Sequence, residues 1–547
     1  SARSVKHRYL WVFKPLTHLS DEKKQPVHYL VVPAGGTGLV LRGLRKEPAA
    51  IGKWHLGWDW THKEGKAKTV DNIGFTKRVA NGPTDRGFDY FYGLTSPSGP
   101  PYLYMVNDMA EKQPNTRFEE SGGGLYKIKG GIGHSDWSAD GMQPHLADKM
   151  LEYLDENKDS DKPFFLYMAL TAPHIPLFPS KEFKGKSKIG DYGDLVMMID
   201  DIVGRVNRKL KEIGKYDNTI VMFAADNGCA GYINMDRINR KGHYPSYIYR
   251  GYKSHGWEGG HRIPFILSWG DRYGHVTDNS LVSLTDLYAT FADMLGYRIA
   301  DDEAEDSFSF WPILDGSGNA ARTDLIATSG AGYFTYRTPQ YKLIFNAGNG
   351  SGEEYRIDGQ PPLQFYDMVN DPEEKVNQIN NPEYAGRIRE MAARVKKYIE
   401  DGRSTPGAKA ANDGGNSWKQ ITDIMSGLYA GTGKGETASK DAGTAVRLRS
   451  KNLRIPESNA EFSIGGNELA RDMLEDTDEQ ADALLLLNYS DNETTEADKG
   501  PDKEKVLEVI SFQGLSWWKI AAGIALAPFP RTPSGDFPAA FAASVEV

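Results

Sequence analysis

The stretch 219-TIVMFAADNG-228 decides how this chain reads. Ile220 to Ala225 is a short, continuous apolar run, the pattern of a strand buried on both faces of a sheet. It ends in Asp226 and Asn227, and Gly228 then lets the backbone turn sharply. In open parallel sheets, ligands bind beyond the carboxyl ends of the strands. An oily strand with a polar tip therefore has the form of a site. An Asp carboxylate beside an Asn carbonyl suits a hard cation such as Ca²⁺ or Mg²⁺. Asp-Asn-Gly is also good turn chemistry without any metal. Two oxygens fall short of the ~6–8 that Ca²⁺ takes, so further acidic ligands must come from elsewhere.

Outward from this strand, the chain alternates. The segment 145-HLADKMLEYLDEN-157 puts Leu146, Met150, Leu151 and Leu154 at helical spacing. Next, 163-PFFLYMAL-170 is a second buried-strand run. The segment 191-DYGDLVMMIDDIVGRVNRKLKEIG-214 carries an apolar stripe at Leu195, Ile199, Ile202, Val206 and Leu210. Its acidic start and basic end suit the helix dipole, and Gly214 is a stop. A third strand is 263-IPFILSW-269, followed by a helix capped by Thr285, with Tyr288, Phe291, Met294 and Leu295 inward and Gly296 at its end. This rhythm predicts an α/β fold with a mainly parallel central sheet flanked by helices.

After about residue 325 the pattern changes. Residues 333–347 read as a hairpin turning at Thr338–Gln340, and Ala385 to Ile399 as an amphipathic helix. Together with 365-FYDMVNDPEEKVN-377 they predict a smaller C-terminal antiparallel sheet plus helix. The expected division is therefore 1–325, with 1–48 atypical, then 326–415, then an atypical extension at 416–547. From 402-GRSTPGAKAANDGGNS-417 the composition is linker-like.

Composition sets the outer limits. A chain of 547 residues exceeds one typical core. Its 65 Lys and Arg against 74 Asp and Glu give a net charge of −9, which argues against a nucleic-acid partner. The apolar segment 515-LSWWKIAAGIALAPF-529 is too short to span a bilayer and is interrupted by Lys519 and Pro528. Ser1 is not an initiator methionine and no signal-type run follows it, which reads as a processed or truncated chain. The single cysteine, Cys229, excludes an intrachain disulfide or a Cys-x-x-Cys clip. A nucleophilic cysteine needs an activating base or a helix N-terminus, and the sequence offers Cys229 neither, so an inert packed thiol is expected.

Three loops supply cations. In 51-IGKWHLGWDW-60, an extended backbone would send Lys53 and His55 to one face and Trp54 to the other. In 171-TAPHIPLFP-179, His174 follows a buried strand and is stiffened by Pro173, Pro176 and Pro179. In 250-RGYKSHGWEGGHRIPF-265, glycines permit close backbone approach around Lys253, His255, His261 and Arg262. Each also reads plainly: a surface lysine with a structural histidine, a lone loop histidine, a solvated basic loop. Together they could surround one strand end bearing metal-type oxygens.

These stretches resemble the sulfatases, the formylglycine-dependent branch of the alkaline phosphatase superfamily. The likeness rests on AIGKWHLG, TDRGFDYFYG (84–93), KPFFLYMALTAPHIPL, GDYGDLVMMID, DNTIVMFAADNG, YRGYKSHGWEGGHRIPF, SLTDLYATFADMLG and LQFYDMVNDPEE, from about residue 49 to 415. The wording near GPTDRGFDYFYG is similar to bacterial sulfatases acting on sulfated glycans. The resemblance implies hydrolysis of a sulfate ester, on a sulfated small molecule or glycan, in the periplasm or outside the cell. It implies Ca²⁺ on Asp226 and Asn227, sulfate binding by Lys53 and Lys253, and His55 serving the formylglycine hydrate. It implies His174 as general acid at the leaving oxygen. It does not indicate an oligomeric state.

The chain departs from the pattern at its start. The Cys-x-Pro-x-Arg nucleophile motif is absent, as is the Asp-Asp pair that ends the family's first strand. Candidates for these parts are Val31-Val32-Pro33-Ala34-Gly35, the tail Ser1-Ala2-Arg3-Ser4, and 484-LLLLNYSDNE-493 with Asp491. Besides a sulfatase, the sequence therefore allows a glycan-binding pseudoenzyme, or a phosphodiesterase or phosphonate hydrolase on the same scaffold. Tyr102, Tyr104, Trp58 and Trp60 are candidates for stacking on a sugar or for core packing.

Overall fold

The oily run is the strand Thr219–Ala225, and it lies near the middle of a ten-stranded sheet. The computed structural model describes residues 28–34, 48–96, 99–273, 276–352, 357, 359–411, 419–426 and 541–546. In chain order the first strands are β1 (His28–Ala34), β2 (Pro48–Lys53), β3 (Tyr90–Leu94), β4 (Met105–Val106) and β5 (Met109–Ala110). A separate two-stranded ribbon is formed by β6 (Thr116–Phe118) and β7 (Gly131–Gly133). The main sheet continues with β8 (Phe165–Ala169), β9 (Thr219–Ala225), β10 (Arg262–Trp269) and β11 (Val276–Val282). The small sheet is β12 (Leu325–Thr328), β13 (Phe334–Arg337), β14 (Tyr341–Ile344) and β15 (Gln364–Asp367), and β16 (Phe541–Glu546) returns to the main sheet. The spatial order is β11-β16-β10-β9-β1-β8-β2-β3-β4-β5.

The five strands β9-β1-β8-β2-β3 are mutually parallel, as the alternating rhythm predicts. β10 differs: it runs antiparallel to β9. The chain between them leaves and re-enters the sheet at the same end, instead of crossing through a helix. The central position belongs to β1, whose Ala34 pairs with Ala225. Thus 28-HYLVVPA-34, within the atypical N-terminal region, takes the place of the first strand. Ser1–Ser4, Gly35 and Asp491 lie outside the described residues.

Successive residues of the parallel strands point to opposite faces. Ala50, Phe165, Tyr167, Ile220 and Met222 enter one buried cluster, and Ile51, Leu166, Met168 and Val221 the other. Helices α1 (Met142–Glu156) and α2 (Asp191–Glu212) cover the second face with Leu146, Met150, Ile199, Ile202 and Leu210. The loop between β9 and β10 holds two short helices, α3 (Met235–Arg240) and α4 (Glu258–His261). Helix α5 (Leu287–Leu295) and the short α6 (Trp311–Leu314) pack against the first face. The entry to α5 is capped by Ser283, not Thr285. Ser283 Oγ accepts from Thr285 N at 3.3 Å, and Asp286 Oδ2 accepts from Ser283 N at 2.9 Å, a reciprocal box that begins one turn early.

The small sheet is antiparallel and turns at Thr338–Gln340 as expected. Helix α7 (Ala385–Asp401) lays Ile388, Met391 and Val395 on Leu343 and Phe365. The described part of the linker-like segment is anchored: buried Arg403 donates to the Asp301 carbonyl at 2.7 Å, and Ser404 N donates to Asp306 at 2.8 Å. Its polar composition hides this, because the partners are polar too. A further helix, α8 (Lys419–Met425), sets Gln420 between the Phe334 N–H and the Phe345 carbonyl.

Candidate functional site

Because β2, β8 and β9 are parallel, their carboxyl ends share one edge of the sheet. Lys53 ends β2, His174 follows β8, and Asp226 follows β9. Gly52 makes the first of these possible. It has φ +127° and a Cβ there would stand 2.0 Å from the Ala169 carbonyl oxygen, so only glycine lets β2 close on β8 beside Lys53. The His174 loop is moored at its root by Gln143 of α1, whose Oε1 accepts from Thr171 N at 3.0 Å and Thr171 Oγ1 at 2.5 Å. His174 Nδ1 meets the Ile175 carbonyl at 2.7 Å, which makes Nδ1 the protonated nitrogen and leaves Nε2 for chemistry.

Lys253 arrives from the β9–β10 loop. Its N–H donates to the Cys229 carbonyl at 2.8 Å, and Gly228 N donates to the Gly260 carbonyl at 3.0 Å. The loop is thereby sewn to the tip that carries Asp226.

The electrostatics place these side chains within mutual Coulomb reach. Burial lowers the Lys53 pKa, Asp226 opposes that shift, and Lys253 reinforces it. Burial raises the Asp226 carboxyl to about 6 against the pull of Lys253 and Lys53. Burial pushes the His174 imidazole down to about 4, with further depression from Lys53, Lys253 and His55. His55 is lowered by partial desolvation, then by Lys53 and Lys253. Two lysines facing one carboxylate leave the pocket cationic, fit for an anion.

Some expectations change. His55 is not on an extended strand: β2 stops at Lys53, and His55 has φ +48° and stands exposed at the rim. Trp54 does pack inward, edge-on to Phe88 at 6.1 Å. Tyr102 and Tyr104 are core residues, only 1% and 7% exposed, and Trp58 and Trp60 stack on each other at 5.8 Å against the core. An exposed aromatic beside His174 is Tyr232, whose ring centroid lies 6.2 Å from that of His174. Sequence reasoning missed it; the available signal was its place on the loop just past the Asp226 tip.

Cys229 is a bystander to this pocket. Its thiol packs with Ile233, Met235 and Ile238, lies 3.4 Å from Tyr192 Oη, and is pushed up to about 11 by burial. It therefore does not fit a formylglycine precursor, and this chain contains no other cysteine. The donor set for Ca²⁺ is also incomplete. Among the described residues no three His, Cys, Asp or Glu side chains gather. Asn227 Nδ2 donates to the Gly228 carbonyl at 3.0 Å, and the residues following Ala34 on the neighbouring strand are Gly35 and Gly36, without side-chain oxygens. Asp226 and Asn227 alone do not fit a resident calcium ion.

Residues 40–297 match the sulfatase family model. Over these residues the chain is similar to the sulfatases. An N-acetylgalactosamine-6-O-sulfatase of Bacteroides thetaiotaomicron is 27% identical over 386 residues, covering 63% of this chain and 74% of the relative. An arylsulfatase of Hemicentrotus pulcherrimus is 29% identical over 329 residues, 59% of this chain and 54% of the relative. The chain thus spans only about half the length of that second sulfatase. A solved sulfatase structure from Bacteroides thetaiotaomicron, described under the metabolism of multiple glycosaminoglycans, superposes with a TM-score of 0.53 at 24% identity. It covers 65% of this chain and 79% of that one, and shows the alkaline phosphatase-like fold. The matched stretch contains Lys53, His174, Asp226 and Lys253.

Proposed function

We propose that this pocket binds the sulfuryl group of a sulfate ester, carried by a saccharide or an aryl alcohol, and that the chain is a sulfuric ester hydrolase. The observation behind this reading is the mutual electrostatic influence of Lys53, His174, Lys253 and Asp226 at one strand edge. Lys53 and Lys253 neutralise the sulfuryl oxygens, and do so best where charge grows in the transition state. His55 handles protons at the rim. His174 is neutral near pH 7 because burial and the cations oppose its charge. A bound anion cancels the cationic part of that opposition, so Nε2 can take up a proton and pass it to the departing alcohol. Asp226 and Asn227 do not by themselves make a divalent-cation site, and no step is routed through one. The reading places the substrate in the periplasm or outside the cell. Among the described residues no helix is long and apolar enough to cross a membrane.

A second reading, binding without turnover, is favoured by the missing Cys-x-Pro-x-Arg motif and the incomplete oxygen set. One experiment separates them. Release of sulfate from a chromogenic aryl sulfate and from a sulfated hexosamine is followed with added Ca²⁺, and calorimetry measures binding of the same saccharide. Turnover lost in Lys53→Ala and His174→Ala supports the hydrolase. Tight binding without turnover supports the second reading. Neither binding nor turnover, or faster cleavage of phosphodiesters, overturns both.

A further inference from the structure

Tyr232 stands out among the aromatic residues near the pocket. The residue is 44% exposed, a large aromatic side chain left partly in water directly beside the proposed proton donor. Its position is not accidental. Ile233 on one side is buried with Met235 and Ile238, and Gly231 on the other fits so closely that a Cβ there would stand 2.8 Å from the Tyr252 ring. These neighbours hold the short turn that carries Tyr232 outward. The ring is edge-on to His174, with an interplanar angle of 74°. Its phenol lies against the Ile175 backbone, the same residue whose carbonyl holds His174 Nδ1. The backbone of one residue, Ile175, thus contacts both the acid and the aromatic side chain.

We propose that Tyr232 is the platform on which the sugar ring bearing the sulfate rests, and so selects saccharide sulfates over free sulfate. This rests on the sulfate-ester reading of the pocket. If the sulfuryl group sits between Lys53 and Lys253, the alcohol oxygen lies at His174, and the next group outward meets Tyr232. A pyranose offers that face a row of polarised C–H bonds, which pack on aromatic rings while the hydroxyls stay in water. The other aromatic candidates are unsuitable, because Tyr102 and Tyr104 are buried and Trp58 and Trp60 cover each other.

The test compares the wild-type chain, Tyr232→Ala and Tyr232→Phe by calorimetry with two probes, inorganic sulfate and N-acetylgalactosamine 6-sulfate. Tyr232→Ala should lose about 5- to 20-fold in affinity for the sugar sulfate while binding inorganic sulfate as wild type does. Tyr232→Phe should stay within about twofold on both, since it keeps the ring. Thermal melts confirm that each variant is folded; Tyr232→Leu, which keeps bulk without the π face, replaces the alanine variant should it fail to fold. Unchanged sugar affinity in Tyr232→Ala, with sulfate binding intact, overturns the platform alone. Wild type that binds neither probe overturns the pocket reading and the platform with it.

Discussion

The backbone N–H of Lys253 donates to the carbonyl of Cys229 at 2.8 Å. One hydrogen bond thus joins the loop bearing a pocket lysine to the strand tip bearing Asp226. Beside it, Gly228 approaches so near that a Cβ would stand 1.8 Å from the Gly259 carbonyl oxygen. Gly228→Ala must therefore push the two segments apart. We expect a loss of about 3–5 kcal/mol in stability by thermal or urea unfolding. We also expect sulfate to stop protecting the variant against heat, because Lys253 moves away from Asp226.

Lys53 is a buried cation whose pKa is lowered first by desolvation. On the sulfate-ester reading, such a group is held for function at a cost in stability. Lys53→Met should melt at the same temperature as wild type or higher. Its affinity for sulfate should fall by about 100-fold. A drop in melting temperature with unchanged sulfate binding would place Lys53 in the scaffold instead.

The strand edge was legible because its chemistry is local. The apolar run ending at Asp226 and the stretches around Lys53, His174 and Lys253 each declare a strand end or a loop within a few residues. The antiparallel sense of β10 was not legible, since strand direction depends on where the connecting loop returns. Nor was the burial of Tyr102, because a tyrosine in a loop-rich segment reads alike whether it faces solvent or Trp137, whose tilted ring lies 4.4 Å from it. Arg403 was hidden by its polar surroundings for the same reason: burial of a paired charge leaves no apolar pattern.

His174 gives a pH dependence with a definite sign. Its folded pKa of about 4 lies below the ordinary 6.5, so between these values the unfolded chain binds more protons than the folded one. Its contribution to stability is fully present above pH 6.5 and is lost as pH falls toward 4. His174→Gln should remove this fall, narrowing the difference in stability between pH 7 and pH 4.5 by about 1–2 kcal/mol after allowance for solvent screening. The comparison with wild type at each pH is essential, because Asp226, raised to about 6, acts in the opposite direction. Sulfate should raise the His174 pKa, seen as an upward shift in its imidazole NMR titration.

Cys229 should prove dispensable to the chemistry. A thiol pushed up to about 11 is almost wholly protonated at pH 8, and its packing shields it. Labelling of the folded protein by a maleimide should be slower than that of the urea-unfolded chain by about 100-fold. Cys229→Ala should keep sulfate binding within about twofold, at a loss near 1 kcal/mol from the small cavity.

The small sheet grips the Lys253 loop through a buried ion cluster. Lys342 Nζ of β14 lies 3.1 Å from Glu374 Oε1 and 3.9 Å from Glu258 Oε1, and Arg337 Nε of β13 lies 3.5 Å from Glu258 Oε2. Glu374 Oε2 also accepts from the Glu258 N–H at 2.6 Å, at the start of α4. Lys342, Glu374 and Glu258 are all fully buried. Removing one cation leaves carboxylates without enough opposing charge, so Lys342→Met should cost about 3–5 kcal/mol. The cost should depend on pH. Burial raises Glu374 to about 7 while Lys342 holds it lower, so without Lys342 it should titrate higher still. The folded state then takes up more protons than the unfolded one from 4.5 upward, and stability falls as pH rises through that window. Lys342→Met should therefore be more damaging at pH 8 than at pH 5, and Glu374→Gln added to it should restore most of the loss at pH 8. Equal damage at both pH values in urea unfolding would mean that the lysine acts through its packing and not through its charge.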